Sequence, residues 1–473
     1  MIPLRHGEPL GRQLVERLRD AIAHGAVRAG ERLPSSRELA ARLGVSRNVI
    51  VAAYEQLLAE GYLVVRHGSG TYVAQIFEEA RAARSSEPLR LSEYGARAEA
   101  IGDSVDFPSR RGRHFRYDFA YGRGDVTDFP FERWQRVLSK QARKTSIRDL
   151  DYSSAAGDEN LRSTIAAHVR RSRGVICDSS QVIIVSGSQQ ALDLIARVLV
   201  DPGDAVAIEN PHYQGARAVL IAAGAKLVPV PVDADGLDTE QLPDKARILH
   251  VTPSHQFPTG AVLSQSRRLA ILDWARRAQA VVVEDDYDGE FAYGGHLLES
   301  LQGLDRSGRV IYVGTFSRTM FAALRIGYLI VPASLTQAFV TAKWLADRHT
   351  PSLEQRALAE FIRDGTYGLY LRRLWRNLDA RRKALLTAIA GGWRGSMQLS
   401  GAAAGAHIVL WPGPGFDEAA GIRAAAERDV GVYGVSRYFI GAPQPGLLLG
   451  YSQLAIQEIR DGVHRLAEVI RPS

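Results

Sequence analysis

The chain has 473 residues, 46% hydrophobic and 23% charged, with a formal charge of +7. That balance excludes a disordered chain, a collagen and a pure coiled coil, and at roughly 100–200 residues per domain it leaves room for two to four domains. A single cysteine, Cys177, excludes a disulfide framework and a thiolate-rich metal site, and no metal-ligand set is predicted. No apolar run nears the roughly 20 residues that span a bilayer. The opening MIPLRHGEPLGRQL also lacks a signal peptide's apolar core, so the expected compartment is the cytoplasm.

In chain order, Leu10, Leu14, Leu18 and Ile22 recur at helical spacing, and the Gly/Pro-punctuated AVRAGERLPSS follows as a turn. Ser35, with Glu38 three residues on, has the pattern of a capping box opening the short helix SRELAARLG, which Gly44 ends. Ser46 opens a third helix to about Gly61, with Val49, Ile50, Ala53, Tyr54, Leu57 and Leu58 as its apolar stripe. Two β-rich runs then flank His67-Gly68-Ser69-Gly70. Three short helices followed by a hairpin predict a winged helix-turn-helix over residues 1–76.

Residues 77–119 show no sustained period and read as a linker, in part helical, too long for an ordinary loop inside a domain. From residue 120 the runs QVIIVSG, DAVAIEN, KLVPVPV, RILHVTP, AVVVEDDY, RVIYVGTFS and RIGYLIVP alternate with helical patterns. Continuous Val/Ile runs suit strands buried on both faces, so a mostly parallel α/β sheet is expected over about 120–355. Residues 356–473 carry a long Arg-rich helix and the runs HIVLWP, VGVYGVS and GLLLGYS, the pattern of a smaller α+β lobe.

In a helix-turn-helix the early side chains of the second helix of the motif meet base edges in the major groove. Here that helix begins Ser46-Arg47-Asn48. Arg47 suits guanine and Asn48 adenine, each by a bidentate pair. Arg37 early in the preceding helix and Arg66, His67 and Gly68 in the wing are further candidates. Residues 1–76 carry only three more basic than acidic residues, so the DNA-facing surface must be locally basic. The stretch LPSSRELAARLGVSRNVIVAAYEQLLAEGYLVVRHGSGTYVA resembles the GntR family of winged-helix repressors.

SGSQQ, NPHYQGAR, HQFPTG, VVEDDYDGEF and GTFSRTMFAALRIGY follow one another in the larger part, in an order that resembles the aminotransferase class I, fold-type I enzymes that use pyridoxal phosphate (PLP). Ser186-Gly187-Ser188-Gln189-Gln190 lies between a strand and a helix, where amides and a hydroxyl suit a phosphate. Tyr213 in NPHYQGAR resembles the residue that stacks on the cofactor ring. HQFPTG resembles the NPTG turn, with Phe257 where the class has asparagine. In VVEDDYDGEF, Asp285 would pair with the pyridinium nitrogen and Tyr287 would reach the ring hydroxyl. Thr315, Ser317 and Arg325 in GTFSRTMFAALRIGY resemble the remaining phosphate-binding set.

Fusion of the two resembles the MocR/GabR subfamily of regulators. The resemblance implies DNA binding, a PLP-binding domain that senses an amino acid or amine, and a head-to-tail homodimer. Two departures matter. Where the family reads TFSK, with the lysine holding PLP as a Schiff base, this chain has Thr315-Phe316-Ser317-Arg318. A guanidinium stays protonated and is a poor nucleophile, so Arg318 cannot form that bond. The six lysines are Lys140, Lys144, Lys226, Lys245, Lys343 and Lys383, none between 246 and 342. Leu447-Leu448-Leu449-Gly450-Tyr451 also lacks the carboxylate-binding arginine of the similar LRLGF, for which Arg437 is the candidate replacement. The expected function is a regulator whose cofactor, if bound, is non-covalent. A working aminotransferase with a DNA-binding head is the alternative that Arg318 opposes.

Overall fold

The computed structural model describes residues 10–66, 68–75, 89–102, 115–293, 299–393 and 397–470. The chain divides into two compact units, Met1–Arg90 and Leu91–Ser473.

In the first unit, helices Leu10–Ala23, Ser36–Leu43 and Arg47–Ala59 precede the antiparallel strands Leu63–Arg66 and Gly70–Val73. Its core joins Leu14, Leu18, Ile22, Leu39, Ile50, Leu57, Leu63 and Val73, each buried aliphatic contributing about 1.5–3 kcal/mol. Ser35 caps the second helix by accepting from the Glu38 amide at 3.2 Å. The reciprocal half of the expected capping box is not among the described bonds, because the Glu38 carboxylate turns to Arg42 at 2.6 Å. Gly44 ends that helix at φ 67°, a left-handed conformation that glycine adopts without a Cβ clash. The stripe expected on the third helix faces inward at Ile50, Ala53, Tyr54 and Leu57.

The second unit is built on an eight-stranded sheet. Its spatial order is Val182–Val185, Gly327–Ile330, Val310–Thr315, Val281–Asp286, Ile248–Val251, Ala205–Asn210, Lys226–Asp233 and Gly236–Leu237. The strands from Val310–Thr315 through Lys226–Asp233 run parallel, whereas Gly327–Ile330 is antiparallel to both neighbours. Alternate residues feed opposite faces: Ile183 and Val185 join one core with Val206, Val283 and Val313, while Val182 and Ile184 join another with Tyr312 and Tyr328. Both faces are apolar because helices cover both.

A second, antiparallel sheet orders Gln398–Ser400, His407–Trp411, Leu447–Gly450 and Tyr433–Gly434. The helices Thr366–Gly392 and Ile456–Val469 share a core with it through Leu378, Leu385, Ile408, Leu449, Val463 and Leu466. The stretch expected to be a linker is structured on both sides of its undescribed middle. Helix Glu93–Gly102 is held in the second unit by Arg97, whose Nε donates to the Ala222 carbonyl at 2.9 Å. Tyr117–Asp118 pairs in parallel with Val430–Gly431. Both segments have partners more than a hundred residues away, which no local period reveals. No described helix is long and apolar enough to cross a membrane.

Candidate functional site

In the first unit the exposed residues Arg37, Arg47 and Asn48 open two successive helices. Arg47 Nε donates to Ser36 Oγ at 3.3 Å, so this side chain lies across the start of the preceding helix. Gly68 forms the hairpin turn at φ 72°. Arg66 lies over the Tyr72 ring, its guanidinium carbon 4.6 Å from the centroid. His67 falls outside the described residues. The arrangement presents cations and an amide at helix N-termini, suited to phosphate oxygens and base edges.

In the second unit, five loops leave the carboxyl ends of the strands Val182–Val185, Ala205–Asn210, Ile248–Val251, Val281–Asp286 and Val310–Thr315. Ligands of open α/β sheets bind at such ends. The first loop enters helix Ser188–Leu199 through Gly187 at φ 87°. A Cβ on Gly187 would lie 2.6 Å from Arg325, whose Nη2 donates to the Ser186 carbonyl at 2.5 Å. Arg325 thus crosses a helix N-terminus, and its own φ of 51° is unusual for a non-glycine residue. Gln189 Nε2 donates to the Gly215 carbonyl at 3.0 Å, tying this loop to the one that carries Tyr213. Ser188 begins the helix itself. Thr315 Oγ1 and Ser317 Oγ lie 3.1 Å apart.

Tyr213, Phe257 and Tyr287 form a chain of rings, 5.9 Å and 6.3 Å between centroids. Strand alternation separates the two neighbouring acids. Asp286 pairs with buried Arg173 at 2.7 Å, whereas Asp285 Oδ2 faces His250 Nε2 at 3.6 Å. Asp285 Oδ1 is buried and has no hydrogen-bond partner among the described residues. Such an atom costs stability unless something occupies it.

Arg318 is nearly buried, its guanidinium 5.5 Å from the Tyr287 ring and its Nε 3.7 Å from Asp288 Oδ1. Burial pushes the Asp288 carboxyl up, but Arg318 and His255 outweigh it and hold the group at about 2. Burial and Asp288 raise the Tyr287 phenol well above its ordinary range, against the pull of Arg318. Three lysines are engaged in ion pairs, Lys140 with Glu360, Lys343 with Asp347 and Lys383 with Asp379.

Sequence reading missed the residues behind these loops. Glu209, fully buried, accepts from Thr252 Oγ1 at 2.6 Å, and burial raises it to about 7 against those bonds. His212 and His250 stand 4.9 Å apart with no hydrogen bond to any ring nitrogen among the described residues, His250 Nε2 facing Asp285 at 3.6 Å. The histidine of HQFPTG and the second acid of DYD were visible as motif letters, but nothing local marks them as neighbours. Leu448, where the resemblance leads one to expect an arginine, is buried with Phe257, Val409, Val435 and Tyr438. Arg437 donates to Gln214 Oε1 at 2.8 Å and lies over the Tyr438 ring.

Comparison with known proteins agrees with this two-part construction. Residues 10–73 match the bacterial regulatory proteins of the gntR family, and residues 122–433 match aminotransferase class I and II. The chain is 39% identical over 465 residues to the probable rhizopine catabolism regulatory protein MocR of Rhizobium meliloti, covering 97% of this chain and 93% of that one. The chain belongs to the MocR/GabR family. Within that family it is also 33% identical to the HTH-type transcriptional regulator TauR of Rhodobacter capsulatus, over 98% of this chain and 96% of that one. Members of the MocR/GabR family are DNA-binding transcription regulators with an aminotransferase-like domain, and so is this chain. Among solved structures, its fold is similar to the Thermus thermophilus α-aminoadipate aminotransferase LysN in complex with N-(5'-phosphopyridoxyl)-L-leucine. That match has 29% identity and a TM-score of 0.70, over 75% of this chain and 92% of that one. The Pyrococcus horikoshii kynurenine aminotransferase gives 25% identity and 0.71, over 84% and 98%.

Proposed function

We propose that this regulator holds PLP without a covalent bond and uses the loaded pocket to sense a small amine or amino acid, controlling DNA binding as a cytoplasmic head-to-tail homodimer. The observation that carries the reading is Arg318 beside Tyr287 and Asp288 in a pocket that retains Asp285. The residues fit the group in two places. The unpartnered buried Oδ1 of Asp285 suits a protonated ring nitrogen, and the Gly187 turn, kept open by its missing Cβ, suits a phosphate beside Arg325. Tyr213 would stack on the ring, Tyr287 would donate to the ring hydroxyl, and Ser188, Gln189, Thr315 and Ser317 would complete the phosphate contacts. PLP supplies an electron-withdrawing ring when bound. A guanidinium in place of the lysine amine would not supply the base that transamination uses.

The proposed dimer is supported by exposed apolar residues of the second unit. Leu150, Tyr152 and Leu345 are 76%, 72% and 72% exposed, and Arg348 stacks on both Tyr152 and Trp344. Exposed apolar groups tied together in this way suit a partner surface.

The test is PLP absorbance before and after dialysis, followed by borohydride treatment and mass spectrometry. PLP is expected to bind saturably, to dialyse away and to leave no adduct, and Arg318→Lys is expected to gain a trappable adduct at residue 318. An adduct in the unaltered chain, or no saturable binding in either protein, overturns the reading.

A further inference from the structure

We propose that His255, Asp288 and His407 form a binding site for a first-row transition-metal dication, with zinc the best match to the donor set. All three are buried, and one ligand atom from each lies within 4.8 Å of the others. His255 comes from the loop after strand Ile248–Val251, and Asp288 follows strand Val281–Asp286. His407 opens a strand of the other sheet. A metal here would tie the two lobes of the second unit together, beside Arg318.

The individual groups are in the state a metal requires. Neither Asp288 oxygen has a hydrogen-bond partner among the described residues, although its side chain is wholly buried. A buried ionised carboxylate that lacks hydrogen bonds and is held only by the longer Arg318 and His255 contacts is costly and is a ready ligand. Asp288 Oδ2 faces His255 Nδ1 at 3.5 Å, and that nitrogen also meets the Tyr287 hydroxyl at 3.1 Å, a contact the metal would replace. Ligand atoms about 2.0–2.1 Å from a tetrahedral zinc stand about 3.3–3.5 Å apart, so this edge is already formed. His407 Nε2 lies 3.0 Å from the Pro258 carbonyl, which fixes the proton there and leaves Nδ1 as the free lone pair. Ligating histidines are usually held this way from behind. Gly405 allows close approach, since a Cβ there would lie 2.1 Å from the His255 ring.

Asp288 also lines a cavity of about 130 Å³ with Arg173, Ser254, Gly289, Tyr293 and Ala404. That space has room for water and a fourth ligand beside Asp288. Charge sets the terms of binding. Arg318 stands 3.7 Å from the other Asp288 oxygen, and Arg173 and Arg268 line the cavity. Arg173 is paired with Asp286, and Arg268 donates to the Leu263, Glu299 and Pro253 carbonyls. With so many cations nearby, the fourth ligand should be an anion, hydroxide or chloride, entering from the cavity.

The test uses the full chain, stripped with chelator, dialysed, and titrated with Zn²⁺ by calorimetry and with Co²⁺ by its visible absorption, without PLP. One metal per chain is expected. His407→Gln, which leaves the Arg318–Asp288 contact in place, should weaken binding at least about 100-fold, and Asp288→Asn should do the same. Circular dichroism and DNA binding of each variant establish that it is folded, and His255→Gln replaces either variant that is not. Absence of saturable uptake by the unaltered chain overturns the proposal. So does unchanged affinity in folded His407→Gln, which would place the metal on other histidines such as exposed His464.

Discussion

Glu209 shows how a single buried acid makes this protein sensitive to pH. Its carboxyl is raised from 4.5 to about 7 by burial, only partly offset by Thr252 and Gln256. A group with a raised folded pKa contributes its full stability below its unfolded pKa and loses it as pH rises through the folded value. The second unit should therefore lose on the order of 3 kcal/mol from this residue between about pH 4.5 and about pH 7. Glu209→Gln should reduce that dependence, with Glu284, which burial also raises to about 7, carrying the rest, measured as denaturant midpoints of the two proteins at about pH 5 and about pH 8. An unchanged slope would mean that Glu209 is solvated. In the first unit, Arg47→Ala should cost about 1–3 kcal/mol at the cognate site and little on random DNA if the guanidinium pairs with a guanine. Equal losses in a binding titration on both DNAs would make it a phosphate contact.

At the scale of elements, the loop entering helix Ser188–Leu199 does most to shape the pocket. Gly187 at φ 87° leaves the space that Arg325 crosses to reach Ser186. Gly187→Ala combines a strained backbone with a Cβ 2.6 Å from Arg325, so it should weaken PLP binding at least about 10-fold in an absorbance titration. DNA affinity measured on cofactor-free samples of the two proteins should not differ. The order of motifs along the strands was legible because each sits at a strand end, where a β run gives way to glycine, proline or a capping residue. Continuous Val/Ile runs likewise marked the seven long strands of the large sheet. The antiparallel insertion of Gly327–Ile330 between two other strands was not legible, because strand order depends on connections rather than on local pattern.

For the whole molecule, two separate cores predict separable losses. Leu57 is fully buried in the core of the first unit, and Leu57→Ala should cost that unit about 2–5 kcal/mol. DNA binding should fail at lower temperature while PLP absorbance and the circular dichroism of the larger unit persist. The proposed dimer makes a further demand. Leu345 is 72% exposed in the isolated chain, and Leu345→Glu would place a charge on an apolar surface that a partner covers. Sedimentation should then show a shift toward monomer, and operator affinity should fall because two half-sites are no longer held together. A dimer as tight as the unaltered protein's would place the interface elsewhere.

The sequence by itself determined the division into a winged helix-turn-helix and an α/β domain, the residues at the strand ends, and the fact that residue 318 carries a guanidinium and not an amine. Helical period, buried β runs, glycine turns and the inability of guanidinium to act as an amine are properties of short segments. Only the tertiary structure brought His407 against His255 and Asp288, set Leu448 among the rings of Phe257 and Tyr438, and paired Tyr117 with Val430. It also separated the roles of adjacent Asp285 and Asp286, one facing His250 and the other bound to Arg173. These relations arise from how far strands cross over and which helix faces meet. Residues hundreds of positions apart become neighbours through the packing of the whole core, and their surroundings set the charge each one carries.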